Sequence, residues 1–237
     1  CTQFTPSHFL LLYLLAQSGL SAEDRGALEK SIIFTQDAPA AAAMFKAKQV
    51  DAAVTWEPDL SAAVTARGDE AHVLVSTTAA TNIIADTLCA RQDVIDRAPE
   101  TLRDFVHGWF EGIEMMKADP AAAYAVVAKA LKLDSETVSG MLSGLKLTPF
   151  ADNAQFYGLT GGKAHYETLF DTAFVIWRKK GLVTRPVDAK EWADTRFISA
   201  LAQAYPGQAI QEPKIVSRPA SAQDRAIINK QIQIHFT

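Results

Sequence analysis

The sequence predicts an α/β protein, with a parallel sheet in its first part and an almost wholly helical second part. In the first 90 residues, short segments rich in β-branched and aromatic residues alternate with helical segments of about ten to fifteen residues, which is the pattern of βαβ units. From residue 92 to residue 205, apolar residues recur at helical spacing instead. Hydrophobic residues make up 49% and charged residues 21% of the chain, as in ordinary globular proteins.

Each element of the first part has a local signal. An apolar helix begins at Pro6 and is stopped by Gly19, and Asp37 stands where an alanine-rich helix needs its N-cap. The predicted strands are residues 2–5, 31–34, 51–56 and 72–76, and the predicted helices between them are residues 6–19, 37–48 and 57–67. Residues 82–90 are predicted to form an extended crossing segment. We therefore expect one three-layer α/β lobe in this part of the chain.

The second part is predicted to be helical throughout. Pro120 suits the first position of a helix, Ser135 suits an N-cap, and Gly181 ends an amphipathic segment. The predicted helices are residues 99–118, 120–131, 135–145, 163–180 and 188–205. Because no strand is predicted between residues 92 and 205, we expect no sheet of its own here.

A third composition begins at Pro206, where Gln, Pro, Ala and Ser predominate as in a linker. Residues 231–236 then alternate between polar and apolar side chains, which predicts a strand with nothing after it to pair with. The predicted divisions are residues 1–85 for the α/β lobe, 86–205 for the helical part, and 206–237 for a linker and the start of a further domain. Both ends of the chain look cut, since each carries a strand without a neighbouring element.

Composition and motifs exclude several classes of function. The net charge of −4 and the absence of a long basic run argue against a nucleic-acid partner. The longest apolar stretch, residues 9–16, is far shorter than the roughly 20 residues that span a bilayer. The five histidines lack metal-ligand spacing, and no nucleophile elbow, phosphate loop or metalloprotease motif occurs. We expect no metal and no cofactor, and we interpret acidic residues such as Glu111 and Glu114 as a solvated helix face.

The segment Thr5-Pro6-Ser7-His8 is the first candidate site, because it follows a strand and opens a helix. The first turn of a helix has unpaired backbone N–H groups and a partial positive charge, so it stabilises an anionic or polar ligand group. The hydroxyls of Thr5 and Ser7 would complete such a site. In the simpler alternative, Thr5 is a plain N-cap, the hydroxyls bond only their own backbone, and His8 is a packed or surface histidine.

Two more strand-to-helix junctions are candidates. Trp56 and Glu57 follow a strand at its carboxyl end, where open α/β sheets bind their ligands, and Trp56 offers a flat apolar wall. Thr35 and Asp37 form the third junction. The alternatives are a core tryptophan with a helix-capping Glu57, and Asp37 as an ordinary N-cap. Since consecutive parallel strands end on the same edge of a sheet, we expect the three junctions to lie together.

The order of these segments resembles a known family. The stretch from Pro6 to Leu15, the alanine-rich helix leading through Val50 to Trp56-Glu57-Pro58, and the segments 88–91 and 99–110 are similar to solute-binding proteins of ABC importers for nitrate, sulfonate, taurine and thiamine precursors. The resemblance fades near Phe197.

This resemblance implies a type II periplasmic binding fold, with two α/β lobes that close on a solute. Residues 1–85 would be lobe two, and residues 86–205 the helical return to lobe one, with most of that lobe's sheet missing from this sequence. The ligand-binding positions that carry over are the predicted site residues Thr5, Ser7, His8, Thr35, Asp37, Trp56 and Glu57.

The resemblance therefore implies non-catalytic binding of a small anionic or zwitterionic solute in the periplasm and its delivery to an ABC permease. An enzyme on the same fold, in menaquinone or pyrimidine-precursor biosynthesis, is the alternative, with His8 and Glu57 as its candidate catalytic groups. A solute sensor is a further alternative. Residues 231–236 resemble the opening strand of a peptidoglycan-binding domain of the outer-membrane-protein-A type, which would add peptidoglycan as a partner.

Overall fold

Helices form most of the secondary structure in this computed structural model, which describes residues 1–79 and 83–207. The described residues form two compact units, the first made of residues 1–79, 83–84 and 172–184, the second of residues 85–171 and 185–207. In chain order, the α-helices are α1 (Pro6–Gln17), α2 (Ala22–Ser31), α3 (Ala38–Lys46), α4 (Asp59–Arg67), α5 (Gln92–Arg97), α6 (Pro99–Ala118), α7 (Pro120–Leu131), α8 (Ser135–Ser143), α9 (Phe150–Phe156), α10 (His165–Lys179) and α11 (Arg196–Ser199).

The predicted strands do not pair into a sheet in the part of the chain that the structure describes. Ser31 ends α2, and the bridging found is a single parallel bridge between Thr2 and Thr35. A parallel sheet is stable when helices cover both of its faces. Here the predicted strand residues Ile33 and Leu74 are 50% and 61% exposed, so no layer covers those segments. The expected three-layer α/β lobe is therefore replaced by helices joined by unpaired segments.

The first unit has its apolar core between α1 and the second half of α10. Phe9 and Leu12 of α1 pack with Ile176 of α10, and partly buried side chains such as Trp177 surround them. Elsewhere in this unit α3 packs on α4 through small buried residues such as Ala42 and Ala63. These contacts hold the first turn of α1 beside the last turns of α10.

The second unit is built around α6, α9 and α11. Its core consists of buried apolar residues from these helices and the segments that follow them: Phe110, Phe150, Ala154, Leu159, Ile198 and Leu201. The helix predicted for residues 188–205 is instead three short pieces, because aspartates bond locally and compete with the helix. Asp188 accepts from Lys190 N–H at 3.0 Å, and Asp194 accepts from Arg196 N–H at 3.1 Å.

Three of the described α-helices were not predicted as separate elements: α2, α9 and α5, which has only 6 residues. The α2 helix is capped by Ser21, whose hydroxyl accepts from Asp24 N–H at 3.0 Å, but it buries no side chain and therefore has no apolar periodicity. The α9 helix has only 7 residues, too few for a repeating pattern. Among the described residues, no helix combines the length and the apolar character that crossing a bilayer requires.

Candidate functional site

The first turn of α1 is uncapped. Thr5 is the N-cap residue, yet its hydroxyl donates to the Thr2 carbonyl at 2.7 Å instead of accepting from the helix. Pro6 follows at the first helical position, and the first helical hydrogen bond runs from Phe9 N–H to the Thr5 carbonyl at 3.0 Å. Within the described residues, the backbone N–H groups of Ser7 and His8 therefore have no acceptor. We call the Thr5–His8 turn, with these donors, the α1 cradle.

Ser7 adds a hydroxyl to the α1 cradle. Its side chain is only 5% exposed and forms no hydrogen bond with any described residue. Since the Cα–Cβ bonds of a helix tilt toward its N-terminus, a side chain in the first turn points the same way as the free N–H groups. Among the described residues, the fully buried side-chain atoms without a partner are Thr2 Oγ1 and Arg67 Nε, so the Ser7 hydroxyl keeps enough accessibility to meet a polar group from outside the chain.

His8 is a buried, neutral member of an aromatic cluster. Its Nδ1 accepts from Phe4 N–H at 3.3 Å, which leaves the proton on Nε2. The rings of Phe34 and Trp177 lie edge-on to it, with centroids 4.8 Å and 5.2 Å away. Burial, and then the positive charge of Lys180, lower the pKa of His8. His8 is thus a packed side chain, as in the simpler of the two sequence interpretations, and contributes its backbone N–H to the α1 cradle.

Phe4, Phe34 and Trp177 were missed by sequence reasoning. Phe4 adopts a left-handed backbone conformation with φ of 58°, although its side chain is 61% exposed. The bridge between Thr2 and Thr35 brings Phe34 close to the start of α1. No local pattern links Trp177 to this region, because it lies on α10, far along the chain.

At the second junction, the side chains of Thr35 and Asp37 form hydrogen bonds with the nearby backbone. The Asp37 carboxylate accepts from Ala40 N–H at 2.8 Å and so caps α3, while the Thr35 hydroxyl donates to the Asp37 carbonyl at 3.0 Å. This is the arrangement of an ordinary N-cap. A ligand-binding role for these two residues stays a prediction.

The junction of Trp56 and Glu57 offers one free surface. Trp56 is 44% exposed, as a wall for a ligand would be. Both Glu57 carboxylate oxygens are bound to Ser61, one to its N–H at 3.2 Å and one to its hydroxyl at 2.9 Å, so this carboxylate caps the start of α4. The Thr55 hydroxyl donates to the Ala38 carbonyl at 3.3 Å.

These contacts make the three junctions neighbours. The bridge from Thr2 to Thr35 joins the first junction to the second, and the bond from Thr55 to Ala38 joins the third to the start of α3. The arrangement arises without a paired sheet. It combines free N–H donors and a hydroxyl with two carboxylates that already have donors, so it favours an anionic group at α1.

A concave region with acidic side chains lies in the second unit. It is an open groove of about 490 Å³, which we call the acidic groove, lined by His107, Glu111, Glu114, Met115, Ala204 and Tyr205. The ring of Tyr205 is stacked on Phe150, with centroids 4.5 Å apart. Burial and then the charges of Glu111 and Glu114 raise the pKa of Tyr205. In the described residues, no group of three or more His, Cys, Asp or Glu side chains is arranged to hold a metal ion.

Comparison with known proteins supports the resemblance seen in the sequence. Residues 7–123 match the family model described as NMT1/THI5 like. This is the family of nitrate-, sulfonate- and taurine-type ABC solute-binding proteins, and its THI5 members are biosynthetic enzymes. No curated protein and no solved structure matches the chain. The matched segment includes Ser7, His8 and the two other junctions, so the similarity to the NMT1/THI5-like family covers all three.

Proposed function

We propose that this chain binds a small anionic or zwitterionic solute at the α1 cradle, without transforming it, and delivers it to an ABC importer. The observation that carries the proposal is the uncapped first turn of α1. Two backbone N–H groups and the buried Ser7 hydroxyl lack partners there in the described residues. The family match over residues 7–123 supports solute binding in general. The anionic character of the solute and its binding at the α1 cradle are part of our proposal.

The electrostatics of the α1 cradle suit an anionic group. A helix N-terminus carries about half a positive elementary charge, and an anion placed there gains ~0.3–1 kcal/mol at exposed sites and up to ~2 kcal/mol when partly buried. Hydrogen bonds to a charged group add about 1.5–3 kcal/mol each. A cationic group on the same solute would be tolerated, because the carboxylates of Asp37 and Glu57 lie at the neighbouring junctions.

The similarity to the family supports our choice of solute class. Nitrate, sulfonates and thiamine precursors are the solutes that we propose, the permease of an ABC importer is the partner, and the periplasm is the location. Family members of the solute-binding kind typically work outside the cytoplasm. The predicted peptidoglycan contact depends on residues 231–236, which lie outside the described residues.

Solute titrations on the full chain test the proposal. We expect nitrate, a sulfonate, a carboxylate or a pyrimidine to raise the melting temperature of the protein, and calorimetry to give a dissociation constant. Ser7→Ala should weaken binding about tenfold, because one hydrogen bond to a charged group is worth at least ~1.4 kcal/mol. Ser143→Ala is the matched control, since its hydroxyl only donates to the Gly140 carbonyl on α8.

Two results would overturn the proposal. One is that no solute of any class raises the melting temperature. The other is that the Ser7→Ala protein binds the solute as tightly as the Ser143→Ala protein does.

An enzyme activity is the competing function, because THI5 members of the family are biosynthetic enzymes. Its candidate groups, His8 and Glu57, are both engaged in hydrogen bonds, His8 with Phe4 and Glu57 with Ser61. Mass spectrometry of pyrimidine-precursor incubations would decide between the two functions. Product formation that is lost in His8→Asn or Glu57→Gln would favour the enzyme.

A further inference from the structure

Aromatic side chains surround the start of α1. Around the His8 ring, the centroids of Phe34, Trp177 and Phe4 lie at 4.8, 5.2 and 6.2 Å. Phe4 and Trp177 are themselves 6.5 Å apart. Ser7, a buried residue whose hydroxyl has no partner in the described residues, directly precedes His8 in the helix. An unsatisfied polar group and several aromatic surfaces are therefore adjacent.

Two of these rings are only partly used by the protein. Phe34 is 42% exposed and Phe4 is 61% exposed, although both are large and apolar. Phe4 also holds a left-handed backbone conformation, which is unfavourable for a residue with a bulky side chain. Burial of Phe4 does not offset that conformation, because most of its side chain remains accessible. The open aromatic surface is thus available to a bound molecule.

In the described residues, the positive groups that act on His8 already have partners, since the Cys1 amino group donates to the Ile33 carbonyl at 3.1 Å and Lys180 is in an ion pair. Lys180 is the positive side chain that acts on His8, and it is paired with the carboxylate of Glu29. A hydrated inorganic anion would gain only the N–H groups and the Ser7 hydroxyl. A molecule that also covers Phe4 and Phe34 would gain burial of apolar area in addition.

We infer that the solute carries an aromatic ring directly beside its anionic group, so that the α1 cradle selects aryl sulfonates or aryl carboxylates over alkyl or inorganic anions with the same head group. This inference rests on the proposed function. The head group accepts from the N–H groups of Ser7 and His8 and from the Ser7 hydroxyl. The ring lies against the exposed surface of Phe34 and Phe4.

Calorimetry with two sulfonates that share a head group tests the inference. The full chain is titrated with benzenesulfonate and with methanesulfonate, and we expect benzenesulfonate to bind at least tenfold more tightly. Phe34→Leu should reduce this preference below threefold, through a loss of affinity for benzenesulfonate. Phe105→Leu is the control, because Phe105 is also an exposed aromatic residue, 56% exposed, but lies on α6. Phe4→Leu is a second test variant if Phe34→Leu does not fold.

The outcomes separate the inference from the proposed function. Equal affinities for the two sulfonates, both weakened by Ser7→Ala, would overturn the inference and leave the proposed function in place. A tenfold preference that survives in both Phe34→Leu and Phe4→Leu would also overturn the inference. If neither sulfonate binds while another anion does, the inference fails alone, whereas failure of every anion overturns both.

Discussion

The α1 cradle in the first unit and the acidic groove in the second each place a histidine beside aromatic rings, yet the polar groups around the two histidines differ. His8 meets Phe34 and Trp177 edge-on, and His107 meets Tyr205 edge-on with centroids 6.1 Å apart. His8 lies in the first turn of its helix, where backbone donors are free. His107 lies in the middle of α6, where the backbone donors are used within the helix.

The local electrostatic field depends on whether the histidine lies in the first turn of its helix, as His8 does, or in the middle, as His107 does. In the α1 cradle the backbone itself supplies positive charge, and no acidic side chain is in the first turn of α1. In the acidic groove the charged lining groups are side chains, those of Glu111 and Glu114, and Glu114 is paired with Lys117 at 3.0 Å. Residue types alone therefore say little about ligand charge. The position of those residues along a helix says more.

The largest effect is expected from removing the aromatic ring that stacks on Tyr205 beside the acidic groove. Phe150 is 2% exposed and stacks on Tyr205, so Phe150→Ala should lower the free energy of unfolding by ~3–5 kcal/mol. Phe105→Ala, at an exposed position, should cost far less. Denaturant unfolding followed by circular dichroism measures both. Equal losses of stability in the two variants would mean that Phe150 contributes no more to the core than an exposed phenylalanine does. Under native conditions, solute affinity at the α1 cradle should stay unchanged in each variant.

A carboxylate placed at the N-cap of α1 should have the next largest effect. Asp37 shows the expected geometry on α3, where its carboxylate accepts from Ala40 N–H. Thr5→Asp should likewise cap α1 and raise the free energy of unfolding by about 1 kcal/mol, while its charge repels the solute. Thr5→Asn caps without the charge and serves as the control. Unchanged solute affinity in Thr5→Asp would mean that the anionic group does not bind at α1.

The pH dependence of stability should distinguish the two histidine environments. Burial holds the pKa of His8 below its ordinary value of 6.5, the positive charges of Lys180 and of the amino terminus lower it further, and Glu29 opposes the shift. The unfolded chain therefore takes up this proton first, so the contribution of His8 to stability is complete above pH 6.5 and decreases as the pH falls toward the folded pKa. His8→Phe should remove that decrease, and Lys180→Met should reduce it. Melting temperatures at pH 7.5 and pH 5.5 measure the change. Identical pH dependence in wild type and His8→Phe would contradict the assignment.

The smallest effect is expected for the exposed ion pair of the acidic groove. His107 Nε2 lies 3.8 Å from Glu111 Oε1, and the Glu111 side chain is 63% exposed. Glu111→Gln should change the free energy of unfolding by less than ~0.5 kcal/mol, because solvent screens such pairs. Urea unfolding of the variant at low and high salt checks this expectation. A loss above ~1 kcal/mol would show that the groove depends on the pair for its structure.

The helices with strong end signals could be predicted from the sequence, and the sheet could not. Pro99 and Pro120 fix the starts of α6 and α7 at the predicted residues, because proline suits the first helical position. The strand-like segment around Leu74 satisfies β-propensity but stays exposed. Propensity measures the fit of a residue to a covered, pleated surface, and it carries no information on whether another layer covers that surface.

The part of the candidate site that depends on local sequence could be predicted, and the part that depends on packing between distant segments could not. The free donors of Ser7 and His8 follow from the position of Pro6, which is a local property. Trp177 reaches His8 only because α10 packs on α1, and such a contact between distant segments leaves no trace in a single sequence. In the simpler of the two sequence interpretations the Thr5 hydroxyl bonds only its own backbone, and in the structure it donates to the Thr2 carbonyl.

The bond from Phe4 N–H to the Nδ1 of His8 turns one backbone amide into a reporter of the imidazole. An amide that is protected from hydrogen–deuterium exchange by a carbonyl keeps that acceptor at every pH. The Phe4 amide is held at 3.3 Å by a ring nitrogen that can accept either this hydrogen bond or a proton, but not both. Its exchange rate therefore records the fraction of molecules in which His8 is neutral and the Phe4 turn is closed.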